Sequence, residues 1–173
     1  MRVVAKIGTS SITDDQGAVD HAAIAKVVRE IATLRERGHE VLLVSSGAVA
    51  AGVSTLGFPA RPSDMRTLQA VSAVGQTRIM RVWNDELAEF GLVGAQVLVD
   101  PYDFFDRAQY LHARTTLGRL LELGCVPVIN ENDALANHEL RYGDNDRIAA
   151  LVAHAMGADV MVLLTDAEGL FTD

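Results

Sequence analysis

The 173-residue sequence contains a single cysteine, Cys125, so neither an intrachain disulfide nor a cysteine-based zinc site can form within it. Long hydrophobic runs are also missing. The first apolar run is too short for a signal peptide, and the longest one, residues 148–158, is interrupted by His154 and falls short of a membrane span. These absences predict a soluble, cytoplasmic protein with no membrane segment.

Positive charge is scarce, because 15 lysines and arginines face 23 acidic residues and leave a net charge of −8. A nucleic-acid-binding face needs a surplus of basic residues to displace counterions, so no nucleic-acid partner is expected. Lys6 and Lys26 are the only lysines. Apolar residues make up 49% and charged residues 22% of the chain, which is typical of one globular domain.

Short apolar runs rich in β-branched residues alternate with longer segments of helical period. The predicted strands are 3–7, 41–45, 93–99, 126–129 and 160–164, and the predicted helices are 21–37, 65–90, 103–123 and 146–156. This alternation implies right-handed crossovers between parallel strands. The predicted fold class is α/β, a three-layer αβα sandwich with a mostly parallel central sheet, in which the last strand is expected to be central.

Small and polar residues follow four of the predicted strands. In parallel sheets, ligands bind beyond the carboxyl ends of the strands, where loops and helix N-termini converge. The four segments are Gly8-Thr9-Ser10, Ser46-Gly47-Ala48, Asn130-Glu131-Asn132-Asp133 and Thr165-Asp166. Another polar segment, Gly143-Asp144-Asn145-Asp146, opens the last predicted helix. The sequence therefore predicts a binding site at this edge of the sheet.

Two of these segments can bind anions. The turn at Gly8 can present backbone N–H groups, and Lys6 adds a positive charge suited to a phosphate, although an ordinary turn is the alternative because no P-loop pattern is present. If a helix begins after the second strand, Ser46 caps it and the N–H groups that follow can bind a carboxylate or phosphate. A plain helix cap is the alternative here.

The other polar segments suggest how a substrate with an amino group would be held. Asp133 can bind an ammonium group and Asn130 can orient it. The five histidines show no metal-ligand spacing, and none falls on the strand-end loops, so neither a zinc site nor a Ser-His-Asp triad is expected. Carboxylates, amides, backbone donors and one lysine suit phosphoryl transfer, which depends on positioning and charge neutralisation.

In their order and spacing, these segments resemble the glutamate 5-kinase family of the amino-acid kinase superfamily. The resemblance runs from Lys6 to the end of the chain and is carried by residues 6–10, 45–52, 129–134, 143–146 and 163–166. It implies phosphorylation of the glutamate side-chain carboxylate by ATP, the first step of proline biosynthesis. It also implies Mg²⁺ carried mainly by the ATP phosphates rather than by protein ligands, feedback inhibition by proline, and a homo-oligomer.

The resemblance also assigns residues. Lys6 is the implied catalytic residue and contacts the nucleotide phosphates. The implied glutamate-binding residues are Ser46, Gly47, Asp133 and Asn145, and the implied nucleotide-binding residues are Lys6, Gly8, Thr9, Ser10, Thr165 and Asp166. Within this scheme Asp133 is expected to bind the substrate ammonium, whereas Asn145 and the backbone of residues 46–48 are expected to donate to its α-carboxylate.

By this resemblance, the chain contains only part of the superfamily's kinase domain. Residues 1–173 correspond to the substrate-binding part and the start of the nucleotide-binding part, so the chain by itself is expected to be inactive. Two other functions stay open. One is another kinase of the superfamily, acting on acetylglutamate, aspartate, carbamate or a nucleoside monophosphate. The other is a non-catalytic amino-acid-binding module. Residues 130–133 favour free glutamate.

Overall fold

The computed structural model describes residues 1–14, 17–135 and 145–165. Its elements, in chain order, are β1 (Arg2–Ile7), α1 (His21–Glu36), β2 (Glu40–Ser45), α2 (Ala48–Leu56), α3 (Met65–Ala88), β3 (Gly94–Val99), α4 (Arg107–Glu122), β4 (Val126–Glu131), α5 (Asn145–Met156) and β5 (Val160–Leu164). Short 3₁₀ turns cover Thr9–Ser11 and Pro101–Phe104. Within this part of the chain, no helix is both long and apolar enough to cross a membrane.

The five strands form one sheet in the order β3-β4-β2-β1-β5, and every neighbouring pair is parallel. The predicted α/β class and parallel sheet are therefore confirmed. Within the described residues β5 pairs with β1 alone, so the central position expected for the last strand stays a prediction. Its five residues are 38–42% exposed, and their apolar character alone could not distinguish an edge position from a central one.

Helices cover both faces of the sheet and give the predicted three layers. Alternate residues of β2 point to opposite faces: Val41 and Leu43 pack against α1 and α3, whereas Leu42 and Val44 pack against α4 and α5. Because both faces are buried, the inner strands show continuous apolar runs instead of an alternating pattern. Trp83 of α3 is the largest fully buried side chain in the described residues.

Aspartate caps set where three of the helices begin. Asp20, Asp64 and Asp106 each precede a helix and accept a hydrogen bond from the N–H group three residues later. The third cap corrects the predicted helix 103–123, which begins at Arg107. Pro101 instead starts a separate 3₁₀ turn, which a capping box between Asp100 and Asp103 holds in place.

Helices α2 and α3 cross at backbone-to-backbone distance. A Cβ atom on Gly75 would lie 1.7 Å from the carbonyl oxygen of Ala48, and one on Gly52 would lie 2.0 Å from that of Val71. Only glycine fits at either position. Since α3 packs along the sheet, this crossing determines where the N-terminus of α2 lies relative to the strand ends.

We expect Gly75→Ala to lower the free energy of unfolding by about 1–3 kcal/mol or more, because the added methyl group forces α2 away from α3. Urea denaturation of the variant and the parent protein measures this change. Gly118→Ala in α4 is the matched control. A Cβ atom there meets nothing within 4 Å, so the better helix propensity of alanine should stabilise by about 0.5–1 kcal/mol. Equal stability of the Gly75 variant and the parent would contradict the close crossing.

Candidate active site

A cavity of about 460 Å³ opens at the carboxyl ends of the central strands, where the sequence predicts a site. Five of the predicted residues line it: Thr9, Ser46, Gly47, Asp133 and Asn145. They come from four separate segments of the chain, and the fold brings them to one place. Two segments fall partly outside the described residues, since Gly143, Asp144 and Asp166 are not among them.

Gly47 starts α2 and directs its N-terminus to the cavity. Its φ of 96° lies in the left-handed region, and a Cβ atom there would lie 3.0 Å from the side chain of Ile12. The prediction that Ser46 caps the helix is wrong, because Gly47 occupies the cap position and no side chain caps α2. The N–H groups of residues 48–50, which line the cavity, are therefore not satisfied by a cap.

The amide of Asn145 joins three of the segments. Its Nδ2 donates to Ser46 Oγ at 2.8 Å, to Asn130 Oδ1 at 3.0 Å and, at 3.4 Å, to the carbonyl oxygen of Ser45. Asn130 Oδ1 also accepts from the N–H of Glu131 at 2.8 Å, so the atom that faces it from Asn145 must be a donor. This fixes the orientation of the Asn145 amide.

The other end of that amide has no partner. Asn145 is 5% exposed, and its Oδ1 is the one buried side-chain oxygen or nitrogen without a hydrogen bond in the described residues. In the described residues the Nδ2 group of Asn145 is used by protein acceptors, and the donation to a substrate carboxylate stays a prediction. An unsatisfied buried acceptor in a residue that lines the cavity favours a ligand that donates.

Asp133 is a second acceptor, and burial raises the pKa of its carboxyl group above the usual value. Two contacts oppose this shift: the Ser72 hydroxyl donates to Asp133 Oδ2 at 2.7 Å, and the positive charge of Arg61 acts on the carboxylate. A buried carboxylate with one hydrogen-bond donor is under-compensated, which favours a cationic ligand beside it.

Lys6 lies near the cavity on β1, and its Nζ is 2.7 Å from Asp146 Oδ1 in the first turn of α5. The lysine side chain is 14% exposed and the aspartate 57%. The position of Asp146 near the positive end of the α5 dipole stabilises its negative charge. The ammonium of Lys6 is thus held at the strand ends, beside the residue that follows Asn145.

The other predicted nucleotide-binding residues that the structure describes follow β1, which carries Lys6, and its neighbour β5. The N–H of Gly8 donates to the carbonyl oxygen of Leu164 at 3.3 Å, so this group, contrary to expectation, is already used. Thr9 and Ser10 are exposed and begin a 3₁₀ turn, whose first N–H groups have no helical partner. Thr165 is exposed directly after β5.

Helix α3 supplies three site residues that the sequence analysis missed. Ser72 contacts Asp133, Gln76 Nε2 donates to the carbonyl oxygen of Glu131 at 3.3 Å, and Trp83 Nε1 donates to Ser45 Oγ at 2.9 Å. Their spacing places all three on one face of the helix. In the sequence, the signal that could have identified them was the presence of polar residues on the apolar face of the predicted helix. Arg61, in the segment before α3, was also missed.

No three histidine, cysteine, aspartate or glutamate side chains cluster as metal ligands within the described ranges. This part of the chain provides carboxylate, amide and backbone groups suited to an organic ligand.

The model of the amino acid kinase family matches residues 1–173. Among curated proteins, the glutamate 5-kinase of Thermobifida fusca (strain YX) is 51% identical over 98% of this chain, and the glutamate 5-kinase of Pseudomonas putida (strain W619) is 50% identical over 98%. The matched regions are 44% and 46% of those proteins. The chain therefore spans less than half the length of these relatives.

Among solved structures, the product complex of T. acidophilum isopentenyl phosphate kinase superposes with a TM-score of 0.66. It covers 100% of this chain and 74% of that one, at 22% sequence identity. At this identity the likeness concerns the fold alone.

We expect Asp133→Asn to stabilise the protein increasingly as the pH rises. Because the pKa of Asp133 is raised on folding, the folded state binds more protons, and stability is lost as the pH rises from the unfolded pKa to the folded one. Asparagine does not ionise, so the variant does not lose stability in this way as the pH rises. Urea denaturation between pH 4 and pH 8 measures the difference, with Asp14→Asn at an exposed position as control. A difference that does not change with pH would contradict the burial argument.

Proposed function

Because the chain belongs to the amino acid kinase family, we propose that it forms the substrate-binding part of an ATP-dependent kinase that acts on L-glutamate. The reaction transfers the γ-phosphoryl group of ATP to the side-chain carboxylate and gives glutamyl 5-phosphate, the first step of proline biosynthesis. The two glutamate 5-kinases that are 51% and 50% identical support this substrate. Inhibition by proline and assembly into a homo-oligomer stay predictions.

The observation that carries the proposal is the polarity of the cavity. Two buried acceptors, Asp133 and Asn145 Oδ1, lie in the wall on the side of β4 and α5. The uncapped N-terminus of α2 also lines the cavity, and its partial positive charge favours an anion there. An amino acid with an acidic side chain carries both kinds of group, with the ammonium for the acceptors and a carboxylate for the helix.

The ammonium separates a free amino acid, glutamate or aspartate, from acetylglutamate and from a nucleoside monophosphate. Acetylglutamate has a neutral amide in its place, and a nucleoside monophosphate has no cation there. Either of them would leave the charge of Asp133 uncompensated in a buried position, which is costly. Asp133 therefore supports a free amino acid as substrate.

The chemistry requires no general base. The attacking carboxylate is already ionised at neutral pH, and its oxygen forms a bond to the γ-phosphorus while the bond to the β,γ-bridging oxygen breaks and ADP leaves. The main obstacle is repulsion between the carboxylate and the triphosphate. Lys6 is the proposed counter-charge, and Mg²⁺ on the ATP phosphates supplies further neutralisation.

The proposal is tested by hydroxamate formation, in which hydroxylamine captures the acyl phosphate, using the full-length protein with ATP and Mg²⁺. We expect turnover with L-glutamate and none above background with N-acetylglutamate. Asp133→Asn should weaken glutamate binding by about 30-fold or more, with little change for ATP, because a buried charged contact is lost. Absence of turnover with glutamate, or equal use of both substrates, would contradict the proposed function.

We expect Lys6→Ala to lower kcat by roughly 10²-fold or more, since it removes a charge that stabilises the transferring phosphoryl group. The KM for glutamate should change little. Steady-state kinetics in the same assay measure both constants. Lys26→Ala is the matched control, because Lys26 is the other lysine and is exposed on α1, away from the cavity. A kcat close to that of the parent would remove Lys6 from the mechanism.

A further inference from the structure

Arg61 is a cation at the cavity that the proposed function does not yet use. It belongs to the segment between α2 and α3, and four consecutive residues of that segment line the cavity: Phe58, Pro59, Ala60 and Arg61. Arg61 is exposed and forms no salt bridge within the described ranges. Its guanidinium group is therefore free to bind a ligand.

Arg61 and Asp133 place opposite charges in the wall of one cavity. They are close enough for the charge of Arg61 to act on Asp133, whose pKa it lowers against the larger effect of burial. No salt bridge joins the two residues in the described structure. A separated anion and cation match the head group of an α-amino acid, in which the ammonium and the carboxylate are attached to the same carbon atom.

The sheet order indicates which carboxylate of the substrate meets Arg61. Strand β2 lies between β4, which leads to Asp133, and β1, which carries Lys6. Neighbouring strands are about 4.8 Å apart, so β4 and β1 are separated by about 10 Å. With its head group at Asp133, glutamate would extend its side chain across β2, past the N-terminus of α2, towards Lys6. The α-carboxylate then stays on the Asp133 side, where Arg61 is the cation.

We propose that Arg61 binds the α-carboxylate of the substrate, so that Arg61 and Asp133 together select the head group of an α-amino acid. This inference rests on the proposed function and adds a specificity residue to it. The planar guanidinium can donate two parallel hydrogen bonds to a carboxylate. The N-terminus of α2 is then left for the side-chain carboxylate.

The test compares Arg61→Gln with the parent in the full-length protein. We expect the KM for L-glutamate to rise about tenfold or more, while kcat stays within about twofold and the KM for ATP is unchanged. 4-Aminobutanoate is glutamate without its α-carboxylate, so its binding constant, measured by competition with glutamate at a pH where Asp133 is ionised in both proteins, should be the same for both. Arg66→Gln, an exposed arginine in the first turn of α3, is the matched control and should leave all constants unchanged.

A pH profile tests whether Arg61 also keeps Asp133 ionised, an effect that a merely structural residue would not have. Removal of the positive charge raises the pKa of Asp133, so the acid limb of kcat/KM for glutamate should move to higher pH in Arg61→Gln. Arg61→Lys should restore the acid limb and part of the affinity, because it keeps the charge and loses the paired hydrogen bonds.

The possible failures are distinguishable. An unchanged KM for glutamate in an active Arg61→Gln variant would overturn the role of Arg61 alone. Equal weakening of glutamate and 4-aminobutanoate would also overturn it, because the effect would then not depend on the α-carboxylate. Lack of glutamate phosphorylation by the parent protein would overturn the proposed function, and the inference with it.

Discussion

The hydrogen bonds of one amide, that of Asn145, determine how the site is assembled. Its nitrogen donates to groups that follow β2 and to Asn130 at the end of β4, so α5 is tied to two strands at once. Since an amide has one donor end and one acceptor end, use of the nitrogen by the protein leaves the oxygen for the cavity. The same contacts that hold the elements together therefore also determine which kind of ligand atom the site can accept.

Helix α3 holds the ends of β2 and β4 in position beside this amide. Trp83 donates to Ser45 Oγ, and because an indole N–H can only donate, the hydroxyl must direct its own proton to the carbonyl oxygen of Ser46 at 3.0 Å. Gln76 holds the carbonyl oxygen of Glu131 in a similar way. The helix is itself located by its backbone contact with α2 at Gly75. The packing of the outer helices therefore positions the site through a few hydrogen bonds.

The charges of the site are arranged for a ligand at the expense of stability. Within the described residues Asp133 is buried with one hydroxyl donor, and the charge of Arg61 lowers its pKa by less than burial raises it. A protein selected for stability alone would place a neutral group there. Under the proposed function the missing compensation comes from the substrate, whose ammonium would lie beside a carboxylate prepared for it.

Sequence patterns were sufficient to predict the strands, most of the helix bounds, the parallel sheet and the sheet edge at which the cavity opens, because these follow from periodicity and from the residues that end each element. It also indicated Ser46, Asp133 and Asn145, which stand directly beside those elements. Only the tertiary structure showed the glycine cap of α2 and the hydrogen-bond partners of Asn145. It also revealed Arg61 and Ser72. Such features depend on contacts between residues that are far apart in the chain. Packing determines which groups an amide contacts, which charge lies near a carboxylate and which strands are neighbours, and local sequence patterns do not contain this information.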